Sequence, residues 1–447
     1  MKTYLIIWFG QLVSRIGTAM TRFALIVWAY ERASQEGNTA TAVALIGFFA
    51  FLPLITVGPL AGVWVDRLPR RMVMLVADGA AGLMTLSLLA LHGAGELAIW
   101  HIYVAEFLTG VFETFQAPAY TAASTLLLPK EHYARGSGLR ALAQNGAQVL
   151  APILAGLLFY AGGLTGVLLV DLATFGIALV TLLSVSIPEV TRNDPANRAG
   201  AEGLFSELWF GFRYIWQRPG LAGMTFAFTG MNFFAALTYF SLLPVMILAR
   251  SGGNELALAT VQTSLGLGGV AGAVLVSLWG GPRRRIHGVL LAAALSFLLG
   301  DLVLALGATL PFWLFGVAVG ALFVPIIGAS NDSIWQEKVH PAWQGRVFAA
   351  KNTWGQALVP LGYILAGELA DRWFEPAMQV GGSLAGGFGW LVGTGPGAGI
   401  ALMFVVTSLA GAILTLGFYL IPAVRNVEET PADRVPEVAP QPVAAAA

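Results

Sequence analysis

Long apolar runs broken by short polar knots fill this 447-residue chain. A helix needs about 20 mainly apolar residues to cross a bilayer, so run length is the first quantity to read. The pattern predicts twelve spans, near residues 4–30, 40–64, 72–92, 98–126, 137–161, 164–187, 220–249, 256–279, 286–307, 310–335, 346–370 and 397–422. The longest polar insertion, residues 188–219, separates the sixth from the seventh. Its first part carries Pro, Asn and Arg and reads as a linker. Its second, Glu202 to Arg218, interleaves Phe205, Leu208, Trp209, Phe212 and Trp216 with Glu207 and Arg213, as in an amphipathic helix lying on a membrane surface. The expected architecture is an all-α polytopic membrane protein of twelve transmembrane helices. Two six-helix bundles, residues 1–187 and 220–424, are joined by residues 188–219 and followed by a disordered tail at 425–447.

Composition agrees with this and narrows the function. Hydrophobic residues make up 57% of the chain and charged residues 11%, with a mean hydropathy of +0.75, against about a quarter charged in ordinary soluble proteins. Formal charge is zero, so net charge says nothing about partners, and the basic face that nucleic acid would need is not expected. Cysteine is absent, which excludes disulfides and thiolate metal sites. His92, His101, His132, His287 and His340 form no ligand spacing, so neither metal nor cofactor is expected. Motifs of the H-E-x-x-H or G-x-S-x-G kind are also missing, which argues against an intramembrane enzyme. The first run, from Tyr4 to Tyr30, is too long for a signal-peptide core of roughly 7 to 15 residues and reads as a span.

Lys and Arg set the orientation. With both termini placed in the cytoplasm, inside segments hold nineteen of the 24 and outside segments hold only Arg32, Arg250 and Arg372, while Arg15 and Arg22 lie within the first span. A shifted span count would scramble that asymmetry. The two halves also echo each other: Trp64 precedes Arg70 and Arg71 as Trp279 precedes Arg283, Arg284 and Arg285. Gln-x-x-x-Pro recurs as Gln148 to Pro152 and Gln356 to Pro360, at offsets of 215 and 208 residues. Such agreement is expected of parallel repeats about an axis along the membrane normal.

Charges inside a span are costly, about 2.5 to 3.5 kcal/mol at the bilayer centre, and call for a partner or a wet cavity. In the first span Gln11, Arg15, Thr18 and Arg22 form one polar stripe; in the fourth, Glu106, Thr109, Glu113, Gln116 and Tyr120 form another. The helices run in opposite directions, and counting from their ends places Arg22 near Glu106 and Arg15 near Glu113. Two readings follow: ion pairs that only lock the two helices, or a polar cavity in which a carboxylate gains and loses a proton, Glu113 first and Glu106 second. Thr229, Asn232 and Tyr239 add neutral polar positions on the seventh span. Phe233, Phe234 and Phe240, with Phe312, Trp313, Phe315 and Phe323 of the tenth, suit either an aromatic wall for an amphipathic ligand or ordinary packing. Asp78 and Asp171 read as hydrogen-bonding acids between neighbouring helices.

The charged turn Gly62-Val63-Trp64-Val65-Asp66-Arg67-Leu68-Pro69-Arg70-Arg71 resembles the loop between the second and third helices of the major facilitator superfamily, with Pro69 where Gly is commoner. Gly62, Asp66, Arg67, Arg70 and Arg71 are its matching residues. Asp66 facing the positive N-terminus of the eleventh helix would latch the inner mouth, at about 0.3 to 1 kcal/mol or more; the alternative reading is that the arginines only anchor the loop to lipid phosphates. The first-span segments Gln11 to Gly17, Thr21 to Leu25 and Trp28 to Tyr30, with Leu52-Pro53, Gly58 to Gly62, Ala77-Asp78, Ala117 to Ala119 and Pro360 to Gly367, are similar to the drug:proton antiporter branch that includes macrolide-efflux and enterobactin-exporter proteins. The resemblance implies alternating access about a central cavity bordered by spans 1, 4, 7 and 10, and proton-driven export of small amphipathic molecules. The fourth span lacks the basic motif of the better-known antiporter branches. An uncoupled facilitator or lipid-like flippase of the same fold is the alternative. The expected partners are the lipid bilayer, protons and a small amphipathic substrate, for a monomer in the plasma (inner) membrane.

Overall fold

Inside a bilayer a chain segment satisfies its own N–H and C=O groups by forming a helix, and among the described residues there are helices and turns with no strand. The computed structural model describes residues 1–58, 61, 64, 65, 68–187 and 201–429. Gly62, Asp66 and Arg67 of the charged turn, the 188–200 linker and residues 430–447 lie outside the described residues.

Spans 1 to 4 contain the helices Lys2–Ala33, Thr39–Thr56, Arg70–Gly93 and Ile99–Leu127. Spans 5 and 6 share the helical run Tyr133–Leu183, interrupted at Gly163, whose φ of 60° is available to glycine at little cost. Span 7 is Pro219–Leu237 followed by Leu243–Arg250, and spans 8 to 10 are Glu255–Trp279, His287–Leu306 and Leu310–Lys338. Span 11 comprises Pro341–Gly355 and Val359–Leu369, and span 12 is Ala398–Leu420. Among the described residues nine helices are long and apolar enough to cross a membrane. That number counts Tyr133–Leu183 once and leaves out the polar-studded fourth span and the divided eleventh, which together restore twelve, in two bundles of six.

Two spans expected to be continuous are divided, and proline explains both. Pro244 and Pro360 lack an N–H for the carbonyl four residues back and crowd it with their rings, so the chain turns at residues 238–242 and 356–358 before each helix resumes. The ninth span carries two π-helical stretches, His287–Leu291 and Ser296–Asp301, that its even apolar pattern does not announce. A helix at Ala385–Val392, between spans 11 and 12, was likewise not expected. The amphipathic helix forms at Ala201–Trp216. It lies against the start of span 11, with Trp216 stacked on Trp354 at 5.9 Å and Phe210 meeting Trp343 edge-on at 6.1 Å.

The two bundles meet along spans 2 and 11 and along spans 5 and 8. At the end of the molecule opposite Arg70 and Arg71, Ala40 and Ala44 share one apolar core with Ala366 and Ala370, and Ala151 and Ala155 share it with Ala257, Ala259 and Val261. A Cβ on Gly367 would lie 2.4 Å from Thr41 Cα, so this glycine lets two backbones touch. One turn further on, the Asp371 carboxylate accepts from Ala40 N–H at 3.0 Å and Thr41 N–H at 2.7 Å. Asn38 makes no side-chain cap there, and the acid from the other bundle satisfies amides that a helix start leaves unpaired.

Candidate functional site: a polar cavity between spans 1, 4 and 11

Positions three and four apart share a helix face, which brings Gln11, Ser14, Arg15, Thr18 and Arg22 of span 1 towards Glu106, Thr109, Glu113 and Gln116 of span 4. Arg22 is the hub. Its Nε lies 3.0 Å from Glu106 Oε2 and a terminal nitrogen lies 2.8 Å from Glu113 Oε2. The two glutamates are seven residues apart, about 10 Å of rise at 1.5 Å per residue, and both side chains lean towards the one guanidinium between them. The expected pairing of Arg15 with Glu113 is therefore not formed: Arg22 holds both acids, and Arg15 faces the cavity with no ion pair to a described residue.

Beside this triad, Asp78 of span 3 accepts from Gln11 Nε2 at 2.8 Å and Gln116 Nε2 at 2.7 Å, and Gln116 Nε2 also reaches Gln11 Oε1 at 3.0 Å. Three spans are thus cross-linked at a buried carboxylate. Behind it, Asp171 of span 6 accepts from Thr21 and Thr85 at 2.7 and 3.0 Å. Both acids make the interhelical bonds expected of them, but Asp78 also stands on the cavity wall.

The cavity has a volume of about 830 Å³. Gln11, Arg15, Thr18, Arg22, Thr109, Glu113 and Gln116 border it, together with apolar Phe51, Leu54, Phe112 and Phe175. Its walls come from the halves of spans 1 to 6 and 11 that lie nearest Arg70 and Arg71, while the opposite halves are packed together, so it faces the basic side of the molecule. Glu106 stands behind the wall at 5% exposure and Glu113 on it at 40%.

Three expected lining residues, Tyr120, Thr229 and Tyr239, lie elsewhere, and Asn232 borders a smaller neighbouring cavity of about 180 Å³ that shares Asn352 and Gln356 with the main one. Tyr120 is buried in a packing cluster with Ile7, Met74 and Leu182. Tyr239 packs on the main apolar core beside Phe240. Thr229 donates to Trp354 O at 3.1 Å and Asn232 to Gly355 O at 2.9 Å. These two side chains brace the break in span 11, where Trp354 O also accepts from Ala357 N–H at 3.1 Å. Of the two readings of the aromatics on spans 7 and 10, ordinary packing fits better: Phe240, Phe312 and Phe315 are exposed, Trp313 is buried in the main core, and none of them borders the cavity. Asn232→Ala is accordingly expected to lower stability by about 1 kcal/mol, the net worth of one hydrogen bond. Thermal unfolding of the purified protein should show this, with substrate KM unchanged; a selective KM change would return Asn232 to the binding wall.

Sequence reasoning missed Gln144, Gln148, Asn352, Thr353 and Gln356, all of which line the cavity. The Gln-x-x-x-Pro repeat was the signal. Gln148 and Gln356 occupy matching places on spans 5 and 11 and both face inward. In the charged turn, Arg71 donates to the last carbonyls of span 6, Leu182 O at 3.1 Å and Leu183 O at 2.8 Å, and so anchors the loop within its own bundle.

Comparison with known proteins places this architecture. The family model described as Major Facilitator Superfamily matches residues 7–363. The chain is 29% identical to Macrolide efflux protein A of Streptococcus pyogenes over 378 residues, covering 82% of this chain and 89% of that protein. It is 25% identical to Enterobactin exporter EntS of Shigella flexneri over 412 residues, covering 90% and 91%. Among solved structures, a bacterial homolog of the human lysosomal transporter Spinster superimposes with a TM-score of 0.67 at 15% identity, over 96% of this chain and 99% of that one. The nucleoside transporter NupG gives 0.66 at 11% identity, over 94% and 98%.

Proposed function

Because this chain belongs to the Major Facilitator Superfamily, its two bundles are the halves of a membrane transporter, and we propose that it exports small amphipathic organic molecules in exchange for protons. Residues 1–187 and 220–424 are the two rocking units of this reading, joined by residues 188–219 and followed by the 425–447 tail. The basic side and both termini are assigned to the cytoplasm, across the plasma membrane, from the Lys and Arg distribution. Relatives named for macrolide efflux and enterobactin export support outward movement of a bulky organic cargo. A cavity of about 830 Å³ lined by aromatic rings and carboxamides is in the range that holds drug-sized ligands.

The observation that carries proton coupling is the sharing of Arg22 between a buried acid and an acid on the cavity wall. With the cavity open inward, ionised Glu113 favours substrate. Outward opening lets it take a proton, which ends its attraction for Arg22, leaves the guanidinium to Glu106 alone and weakens the site. The return inward releases the proton. Everted vesicles carrying the parent protein should accumulate a radiolabelled macrolide under an imposed pH gradient, and Glu113→Gln is expected to reduce this at least tenfold. Undiminished gradient-driven accumulation by that variant would remove Glu113 from the mechanism, and parent transport indifferent to a proton uncoupler would favour a facilitator.

A further inference from the structure

On the export reading above, we propose that the smaller cavity of about 180 Å³, between spans 7, 10 and 11, is a cargo subsite for a neutral carbonyl-bearing ring or short chain. One water needs about 10 to 15 Å³ of such space, so this alcove has room for a substituent of several heavy atoms. It adjoins the main cavity at Asn352 and Gln356, which border both. A molecule lying in the main cavity can therefore extend one arm into it.

Span 10 supplies an unmatched donor. Gly328, Asn331, Asp332 and Trp335 are spaced so that they share one helix face, and all four border the alcove. Asn331 is 3% exposed. The Trp335 indole N–H can only donate, so the Asn331 atom 3.1 Å from it is the carbonyl oxygen, and the amide end is left to the alcove. Its two protons meet no acceptor among the described residues. A buried donor without a partner destabilises the protein, and an acceptor carried in by a ligand removes that penalty.

Lys351 of span 11 also borders the alcove and adds a second donor. Its ammonium lies 2.7 Å from Asp332 Oδ1 and 5.5 Å from the centre of the Trp335 ring, which fixes its place and commits one of its three protons. Because Asp332 already balances that charge and would repel a carboxylate, the site favours a neutral acceptor. A carbonyl oxygen has two lone pairs, one for each donor. Met224 and Phe228 of span 7 give its carbon frame an apolar surface, while the Asn232 amide is committed to Gly355 O. Gly328 points the same way independently. Glycine inside a helix is destabilising relative to alanine, yet here, unlike at Gly367, a Cβ would meet nothing within 4 Å and φ is not positive. What the missing side chain does is keep the alcove open.

Cyclohexanone, a small neutral ring ketone, tests the alcove without any transport assay. Saturation-transfer NMR on the purified full-length protein should show saturable binding to the parent, with cyclohexanecarboxylate competing several-fold less well. Gly328→Leu, whose side chain would fill the alcove, is expected to weaken binding at least tenfold while thermal unfolding stays at or above that of the parent. Asn331→Leu, which nearly keeps the volume and removes the donor, should weaken it several-fold. Absence of saturable cyclohexanone binding in the parent would overturn the subsite, as would undiminished binding in folded Gly328→Leu or equal competition by the carboxylate. If cyclohexanone binds as expected while everted vesicles accumulate no macrolide, the export reading fails and the carbonyl site stands.

Discussion

Replacing Gly367 by valine is expected to hold the protein open on the face opposite its basic loops. The first added carbon would lie 2.4 Å from Thr41 Cα and 2.9 Å from Thr41 N, contacts with main chain that no rotamer change relieves. Spans 2 and 11 must then separate where they now touch, and Asp371 loses Ala40 and Thr41 with them. Asp371→Ala removes the carboxylate cap without the clash. By analogy with helix caps it should cost the closed state about 0.5 to 2 kcal/mol, which is about a 2- to 30-fold change in the gate equilibrium. The chain contains no cysteine, so a single Phe51→Cys reporter on the cavity wall can be labelled with a membrane-impermeant maleimide. In the parent, label should enter from the basic side; with Gly367→Val it should enter from the other. An unchanged side of entry would show that this contact is not the seal.

Removing the guanidinium at the hub is expected to be the most damaging single change to stability. Arg22→Met leaves Glu106, at 5% exposure, without its counter-charge, and breaking a buried pair from one side costs about 3 to 5 kcal/mol. Adding Glu106→Gln to the same chain removes the stranded charge and should recover most of that loss, while transport stays abolished because a proton on Glu113 no longer has an Arg22 pair to break. Thermal unfolding of the single and double variants, beside an efflux assay, separates these effects. If the double variant is no more stable than Arg22→Met, Glu106 is not the group that suffers.

Much of this architecture could be read from hydropathy alone, because a bilayer imposes one length on every crossing segment. The stripes on spans 1 and 4 were equally legible: four and five polar residues at helical spacing on apolar helices have to meet something. Which residues meet was not. Counting from helix ends paired Arg15 with Glu113, yet the reach of Arg22 lets it serve acids two turns apart. Thr229 and Tyr239 were misplaced for a different reason. In a membrane the lipid face and the packed face of a helix are both apolar, so periodicity around span 7 does not say which way a lone threonine looks. Proline gave firmer guidance than was taken from it, since Pro244 and Pro360 mark the two divided spans.

The interruption at Gln356 has a mechanical meaning. Below it, Pro341–Gly355 carries Ala349, Asn352 and Thr353 along the main cavity; above it, Val359–Leu369 presses Gly367 onto the neighbouring backbone. A rigid rod would force both ends to swing together. A jointed one, with Thr229 and Asn232 bonded to the carbonyls at the elbow, lets the two arms move at different times.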